Sequence, residues 1–327
     1  MGVNKNPLIS VVITTYNREN LVVRALKSVL IQTFKDFEIL VVDDGSTDNT
    51  HQAIQEIQKE DKRVIYIYQE NKGWPSALNT GIFNAKSRYI AFLDSDDEWL
   101  PEKLEKQVAF LENNKSFDGV TCYGNIIVDD REKIKLGILK QSDHYGNQLK
   151  NFINGDFPSI PSSLLLKKEI FEKVGYYDEF LKLSTDADMM IRIFKTGFKI
   201  GVIKEVFFNY YIHQQNLTGI TAEAKIKSIN QRINETVYIL NKYKEVYDKY
   251  SKAKSLMLRY LSTFYKLIND EQKSFYYTKE AFKTNKSLRN IFHFILLLLP
   301  YKFFLKLYDF KVNLPIYKAI LKNKFKI

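Results

Sequence analysis

Buried-strand runs and amphipathic stretches alternate through the first hundred residues. Leu8 to Thr15 (Leu-Ile-Ser-Val-Val-Ile-Thr-Thr) is a continuous β-branched run, the pattern of a strand buried on both faces. A polar turn at Tyr16-Asn17-Arg18 follows, and then Leu21, Ala25, Leu26, Val29 and Leu30 recur at helical spacing. The unit repeats as a strand from Phe37 to Val42, a turn over Asp43 to Asp48, and a helix bearing Ala53, Ile54 and Ile57. It recurs once more with Val64 to Tyr68, the loop Asn71-Lys72-Gly73-Trp74-Pro75 and a helix around Ala77 to Ala85, before the strand Tyr89 to Leu93. Strands alternating with helices predict an α/β fold with a parallel sheet covered on both faces, whose ligands sit at the strands' carboxyl ends. The polar clusters of this region all fall at those ends.

Beyond Leu104 to Leu111, a further helix, the pattern is more mixed. A strand is expected over Gly119 to Val128, then a polar connection, then Pro158 to Ser163 ahead of Leu164 to Leu166. Asp178-Glu179-Phe180 and Ser184-Thr185-Asp186-Ala187-Asp188 lead into an apolar helix with Met189, Met190, Ile191 and Phe194 that stops near Gly197. A strand from Ile200 to Tyr211 ends near His213. From Ala222 the chain turns to long helical periodicity rich in Lys and Tyr, which places a domain boundary near residue 220 and divides the chain into 1–220 and 221–327. The most apolar window, Ile291 to Pro300, falls short of the ~20 residues a membrane-spanning helix needs. Flanked by Lys286, Arg289, Lys302, Lys306 and Lys311, it reads either as an interfacial amphipathic element or as a core helix of the tail.

Charge sharpens this division. Residues 221–327 carry 22 Lys and Arg against 8 Asp and Glu, whereas residues 1–220 carry 27 against 30, so the net +11 belongs to the tail. A basic, aromatic-rich tail suits an anionic membrane surface or nucleic acid. At 327 residues and 45% hydrophobic the chain can bury a full core, and a single cysteine, Cys122, rules out an intramolecular disulfide framework. Its start lacks the layout of a signal peptide, which leads us to expect a cytoplasmic protein, with the inner face of the plasma membrane as a peripheral site.

The densest chemistry lies in Leu93-Asp94-Ser95-Asp96-Asp97, where an apolar strand ends in three carboxylates. Gathering like charges is costly, and a divalent cation removes the cost; hard oxygen ligands select Mg²⁺ or Mn²⁺, which complete their shell with substrate phosphate oxygens. The plainer alternative is a solvated turn before a helix capped by Asp97, with Pro101 near its start. Asp43-Asp44-Gly45-Ser46 reads in the same way as a turn with a helix N-cap, and Asp186-Ala187-Asp188 as a helix start with Asp186 as its cap. Arg192, a turn beyond Asp188, either orients it or pairs with it on the helix surface. Thr14-Thr15-Tyr16-Asn17-Arg18 contains no glycine, which argues against a dinucleotide oxidoreductase and against a sugar-nucleotide nucleotidyltransferase, both of which need a glycine-rich approach to phosphate after the first strand.

Taken in order, Pro7 to Arg18, Gln32-Thr33-Phe34, Phe37 to Asp48, Asn71-Lys72-Gly73, Leu93 to Asp97, Val174-Gly175 with Tyr177-Asp178-Glu179, and Thr185 to Asp188 resemble the inverting family 2 glycosyltransferases. The resemblance covers about residues 7 to 215 and does not extend to the tail. It implies a GT-A fold, a Rossmann-like mixed sheet flanked by helices, followed here by a basic α-helical C-terminal region. It implies that Thr14, Tyr16, Asp43 or Asp44, Asn71 and Asp94 hold the nucleotide sugar, that Asp94 and Asp96 bind Mn²⁺ or Mg²⁺ with His213 as a further ligand, and that Asp186 is the catalytic base. Trp74 would stack on a sugar or belong to local core. Many relatives have Ala-Arg-Asn where this chain has Ala77-Leu78-Asn79, so an Arg contact to the nucleotide is absent or supplied elsewhere. There is no Gln-x-x-Arg-Trp segment and no spanning helix, which points away from processive synthases to single additions. The implied reaction is metal-dependent transfer from a UDP-sugar to a glycan or lipid-linked oligosaccharide in bacterial surface-polysaccharide synthesis. Nucleic acid is not an expected partner; a non-catalytic membrane or nucleic-acid scaffold is the rival reading.

Overall fold

The computed structural model describes residues 6–128, 134–141, 145–155, 160–213, 226–308 and 310. The boundary expected near residue 220 lies outside these residues. Two compact units emerge: one comprises Met1–Ile127, Gly137–Leu149 and Phe157–Tyr211, the other Val128–Leu136, Lys150–Asp156 and Ile212–Ile327.

In the first unit the β-branched runs become strands β1 (Ile9–Thr15), β2 (Phe37–Asp43), β3 (Val64–Tyr68) and β4 (Tyr89–Asp94). They pair in parallel, β1 lying between β2 and β4 and β2 beside β3. β1 and β2 are buried along their whole length, which is why their sequences are continuous apolar runs and do not alternate. Between them run helices α1 (Glu19–Leu30), α2 (Thr50–Glu60) and α3 (Trp74–Asn84). α1 turns Val22, Ala25, Leu26 and Val29 into the core.

The remaining strands, β5 (Glu98–Trp99), β6 (Gly119–Val128), β7 (Ile134–Leu139), β8 (Leu165–Lys167) and β9 (Ile200–Ile212), complete the order β3-β2-β1-β4-β8-β6-β9-β5, with β7 on β6. β8 is antiparallel to both β4 and β6, and β5 is antiparallel to β9. The sheet is therefore mixed, as the resemblance implies, and not wholly parallel as strand–helix alternation alone suggests. Helices α4 (Lys103–Asn113), α5 (Gln148–Ile153), α6 (Glu169–Val174) and α7 (Thr185–Lys195) fill the connections.

The helical elements from residue 226 onward fall in the second unit: α8 (Ile229–Lys242), α9 (Lys244–Lys249), α10 (Ser251–Leu267), α11 (Glu271–Thr284) and α12 (Leu288–Leu297). α10 and α11 meet along small buried residues, with Ser255 Oγ donating to the Ala281 carbonyl at 3.0 Å and Ser262 Oγ 2.5 Å from Thr278 Oγ1. Ile229, Ile233, Leu261, Leu267, Leu297 and Phe304 form this unit's apolar core. Within the apolar window over residues 291–300, Leu297 is core while Ile291, Phe292, Ile295 and Leu298 are exposed. Among the described residues no helix is long and apolar enough to cross a membrane.

α3 rests directly on β1, because a Cβ at Gly81 would lie 2.3 Å from Val12 Cγ1, deep in the sheet. No side chain fits between helix and strand. We predict that Gly81→Ala lowers the unfolding free energy by about 1–3 kcal/mol through overpacking, despite alanine's better helix propensity, when urea denaturation is followed by circular dichroism; an unchanged midpoint would contradict this packing.

Candidate active site

The register of the parallel strands sets the site. Thr14 pairs with Asp94 and Thr15 with Asp43, so the carboxyl ends of β1, β2 and β4 finish level with one another. Thr14, Asp43 and Asp44 are buried, while Tyr16 stands 47% exposed just beyond. Asp43 accepts hydrogen bonds from the Ser46 N–H and the Tyr66 hydroxyl, both at 2.9 Å. Asp44 accepts from Gln69 Nε2 at 2.7 Å and from the N–H groups of Lys72 and Gly73 at 2.9 Å. Both aspartates therefore brace loops from within, and Asp44 anchors the loop that carries the exposed Asn71. Gly45 is required here: its φ is +81°, and a Cβ would approach Asn71 N to 2.8 Å.

A second layer of bonds joins the first two loops. Asn17, at φ +50°, accepts from the Thr47 N–H at 2.7 Å, and its own N–H donates to Ser46 Oγ at 2.9 Å. Asp48 accepts from the N–H of Thr50 at 3.0 Å and of Glu19 at 3.4 Å, so it serves the starts of both α1 and α2.

The turn after β4 is not solvated. Ser95, Asp96 and Asp97 are all buried, and α4 begins only at Lys103, so Asp97 does not cap it. Asp97 is an internal latch that accepts from Ser162 Oγ at 2.6 Å and from the Tyr211 N–H at 3.1 Å. Asp96 pairs with Arg18 at 2.9 Å, and Arg18 also donates to Ser95 Oγ at 3.2 Å. Arg24 donates to the Asp96 carbonyl and lies 3.8 Å over the Tyr211 ring. Burial, and then the charge of Asp96, push the Asp94 carboxyl up to about 7, while Arg18 and Ser162 pull it back. Asp97 is held well above the ordinary range by burial and by its two acidic neighbours.

Across the site, Asp186 is the second residue of α7 and is half-buried. The cap position belongs to Ser184, so Asp186 is not the helix cap. Its Oδ1 is buried and accepts no hydrogen bond. Burial, followed by the charge of Asp94, holds its carboxyl well above the usual range. Asp186 thus lies within the field of Asp94.

Neighbouring contacts fix α7 in place. Asp188 is fully buried and receives Arg192 Nε at 2.9 Å and Nη2 at 2.8 Å. Arg192 continues to the carbonyls of Val174, Gly175 and Tyr176, which ties α7 to the end of α6. This pair is an internal brace, not the surface pair that helical spacing suggests. Asn79 on α3 clamps the backbone of Tyr177, accepting from its N–H at 2.8 Å and donating to its carbonyl at 3.0 Å. Burial and the fields of Asp186 and Asp94 raise the Tyr177 hydroxyl well above 10.

Sequence reasoning did not assign roles to Arg18, Asn79, Ser162 or Tyr177; for the first two the signal was present in Tyr16-Asn17-Arg18 and Ala77-Leu78-Asn79. Trp74 is half-buried at the start of α3. His213 directly follows β9 and belongs to the second unit. Among the described residues no three His, Cys, Asp or Glu side chains converge as a metal site.

With this geometry in view, the family model "Glycosyl transferase family 2" matches residues 10–175. An uncharacterized glycosyltransferase of Methanocaldococcus jannaschii is 33% identical over 215 residues, which cover 65% of this chain and 73% of that protein. TuaG of Bacillus subtilis, a putative teichuronic acid biosynthesis glycosyltransferase, is 37% identical over 46% of this chain and 61% of its own. Among solved structures, S. aureus TarS 1–349 in complex with UDP-GlcNAc superimposes with a TM-score of 0.58 at 19% identity, covering 89% of this chain and 79% of TarS 1–349. The mannosyltransferase PcManGT of Pyrobaculum calidifontis, in complex with GDP-Man and Mn²⁺, gives 0.59 at 15% identity over 99% of this chain and 88% of that one. At those identities the structures speak for the fold, and the family match for the chemistry. The chain belongs to glycosyl transferase family 2, has the GT-A fold, and is a glycosyltransferase.

Proposed function

We propose that this glycosyltransferase moves a sugar from a nucleotide sugar, specifically a UDP-sugar, to a hydroxyl of a glycan or lipid-linked oligosaccharide, inverting the anomeric centre. The observation that carries the reading is the buried, unpartnered Oδ1 of Asp186 in the field of Asp94. A carboxylate oxygen withdrawn from water and left without a donor is a costly arrangement for structure alone, and it suits a group that waits for a substrate hydroxyl. The UDP-GlcNAc and GDP-Man complexes of the structural relatives support a sugar-nucleotide donor, and the teichuronic acid relative supports a polysaccharide acceptor. The transfer chemistry is assigned to residues 1–220, and residues 221–327 to surface or partner contact.

In this reading the acceptor oxygen attacks C1 of the donor sugar and loses its proton to Asp186. The C1–O bond breaks with its electron pair leaving on the β-phosphate oxygen, and attack opposite that group inverts C1. Thr14, Tyr16, Asn71 and whichever of Asp43 and Asp44 reaches the ligand hold the nucleoside, and Asp94 lies at the ribose. The chemistry of the donor set fits a hard divalent cation: Asp94 and Asp96 offer carboxylate oxygens whose repulsion is offset here by Arg18. Mn²⁺ or Mg²⁺ bound there would supply neutralisation of the charge that develops on the departing diphosphate. Asp186 must be ionised to accept a proton, and neutralising Asp94 moves its pKa down towards the working range.

Two substitutions separate these roles. Asp186→Asn is expected to keep the donor affinity read by calorimetry while turnover, read as UDP release with acceptor present, falls by about 10²–10⁴-fold. Asp96→Ala is expected to abolish Mn²⁺-dependent UDP binding. Near-normal turnover in the first variant would contradict the base assignment, and undiminished metal-dependent binding in the second would contradict the metal assignment.

The raised Asp94 pKa also gives a pH signature. Its folded value of about 7 lies above the ordinary 3.8, so its contribution to stability is full below 3.8 and is lost as pH rises through about 7. Without donor or divalent cation, Asp94→Asn should therefore exceed the wild type in urea resistance at pH 8 by roughly 2 kcal/mol, with the gap closing towards pH 4. A difference independent of pH would show that Asp94 titrates normally.

A further inference from the structure

The second unit carries surface features that sugar transfer leaves unused. On α12, Leu288, Ile291, Phe292 and Ile295 are 83%, 44%, 63% and 53% exposed, and Leu298, just past its end, is 64% exposed. Their spacing of three or four residues places them on one side of the helix, while Asn290 and Leu297 face inward and are buried. The inner edge already satisfies the unit's core, so the outer stripe has no partner within the described residues. Scattered exposed apolar residues need no explanation, but a contiguous stripe marks an interaction surface.

Charge identifies the partner. From Lys286 to Tyr308 the chain has Lys286, Arg289, Lys302 and Lys306 and no acidic residue. Beside the stripe lies a cavity of about 370 Å³ lined by Lys252, Arg259 and Arg289, with Asn285 and Ser287 as polar neighbours and no carboxylate among its lining residues. Arg259 is held by Asn290, whose Oδ1 accepts from its Nη1 at 2.9 Å, and Asn290 is fixed in turn by donating to Ser255 Oγ at 2.8 Å and to the Ala281 carbonyl at 2.9 Å. Arg259 is therefore positioned by a buried network, while Lys252 and Arg289 stand exposed around the same cavity. Leu288 belongs both to the cavity wall and to the stripe, so the cationic pocket and the apolar face are continuous.

We infer that this face of the second unit docks on an anionic lipid bilayer, the stripe entering the boundary between headgroups and acyl chains while lipid phosphate oxygens accept hydrogen bonds from Lys252, Arg259 and Arg289. Soluble phosphate needs the cations but has no use for the stripe, and a second copy of the chain offers a like-charged face. A bilayer with acidic headgroups satisfies both features, and Lys302 and Lys306 can extend their amines to the headgroups from the same stretch. The inference stands apart from the transfer chemistry, because its readout is lipid binding and not turnover.

The test is co-sedimentation of the full chain with vesicles of phosphatidylcholine alone or mixed equally with phosphatidylglycerol. We expect binding to the anionic vesicles only, weakening as salt is raised. Ile291→Ser/Ile295→Ser should abolish it, and Lys252→Glu/Arg289→Glu should weaken it by about tenfold or more, with circular dichroism and UDP affinity unchanged in both. The inference is overturned if folded wild-type protein ignores anionic vesicles or if the serine variant binds them as wild type does. It is equally overturned if the charge-reversal variant loses affinity for inorganic phosphate but not for vesicles, or if light scattering shows that the serine variant merely dissociates a dimer without altering vesicle binding.

Discussion

Repulsion among carboxylates withdrawn from water at the end of β4 is the constraint around which the catalytic unit is organised. Asp96 and Asp97 are buried at successive positions, with Asp94 half-buried at the strand end. Taking carboxylates out of water costs several kcal/mol per ion unless positive charge or donors compensate. The fold divides that compensation. Asp97 is bonded by Ser162 and the Tyr211 N–H, Asp96 pairs with Arg18, and both Asp94 and Asp97 keep carboxyls raised above the ordinary range by burial and by their acidic neighbours. A turn built only to connect a strand to a helix would have no reason to carry this load.

The same economy appears around α7. Arg192 neutralises Asp188 and at the same time takes up three carbonyls at and just beyond the end of α6, so a single guanidinium fixes where α7 begins. Asn79 reaches from α3 to Tyr177 and secures the segment leading to α7. Asp186 thus sits in a first turn braced at Asp188 and reached through the segment held at Tyr177, and its own Oδ1 is unpartnered. Support of this kind lets a buried carboxyl keep a displaced pKa without the backbone relaxing to hydrate it.

Much of the first unit is legible in the sequence. The strands Val64–Tyr68 and Gly119–Val128 have the bounds that their β-branched and aromatic runs predict. The two-residue β5, and β7 with its partly exposed residues, carry no such signal; they exist only because β9 and β6 offer edges to pair with. The antiparallel placement of β8 was equally hidden, since pairing direction depends on partners far away in sequence. Side-chain roles divide in a similar way. Residue type and position marked Asp94, Asp96 and Asp186 for attention, but nothing in the sequence distinguishes Asp97 as a latch, or Asp43 and Asp44 as loop braces, from ligand-facing groups. The burial of the Asp188–Arg192 pair was also unreadable, because helical spacing of four is the same on a surface and in a core.

The central claim is that Asp94 and Asp186 share one electrostatic site. A carbon-13 NMR titration of the Asp186 carboxyl, in ligand-free wild type and in Asp94→Asn, measures this directly. The account predicts a wild-type pKa well above 3.8 that drops when the Asp94 charge is removed. An Asp186 pKa near 3.8, or one indifferent to Asp94→Asn, would contradict it.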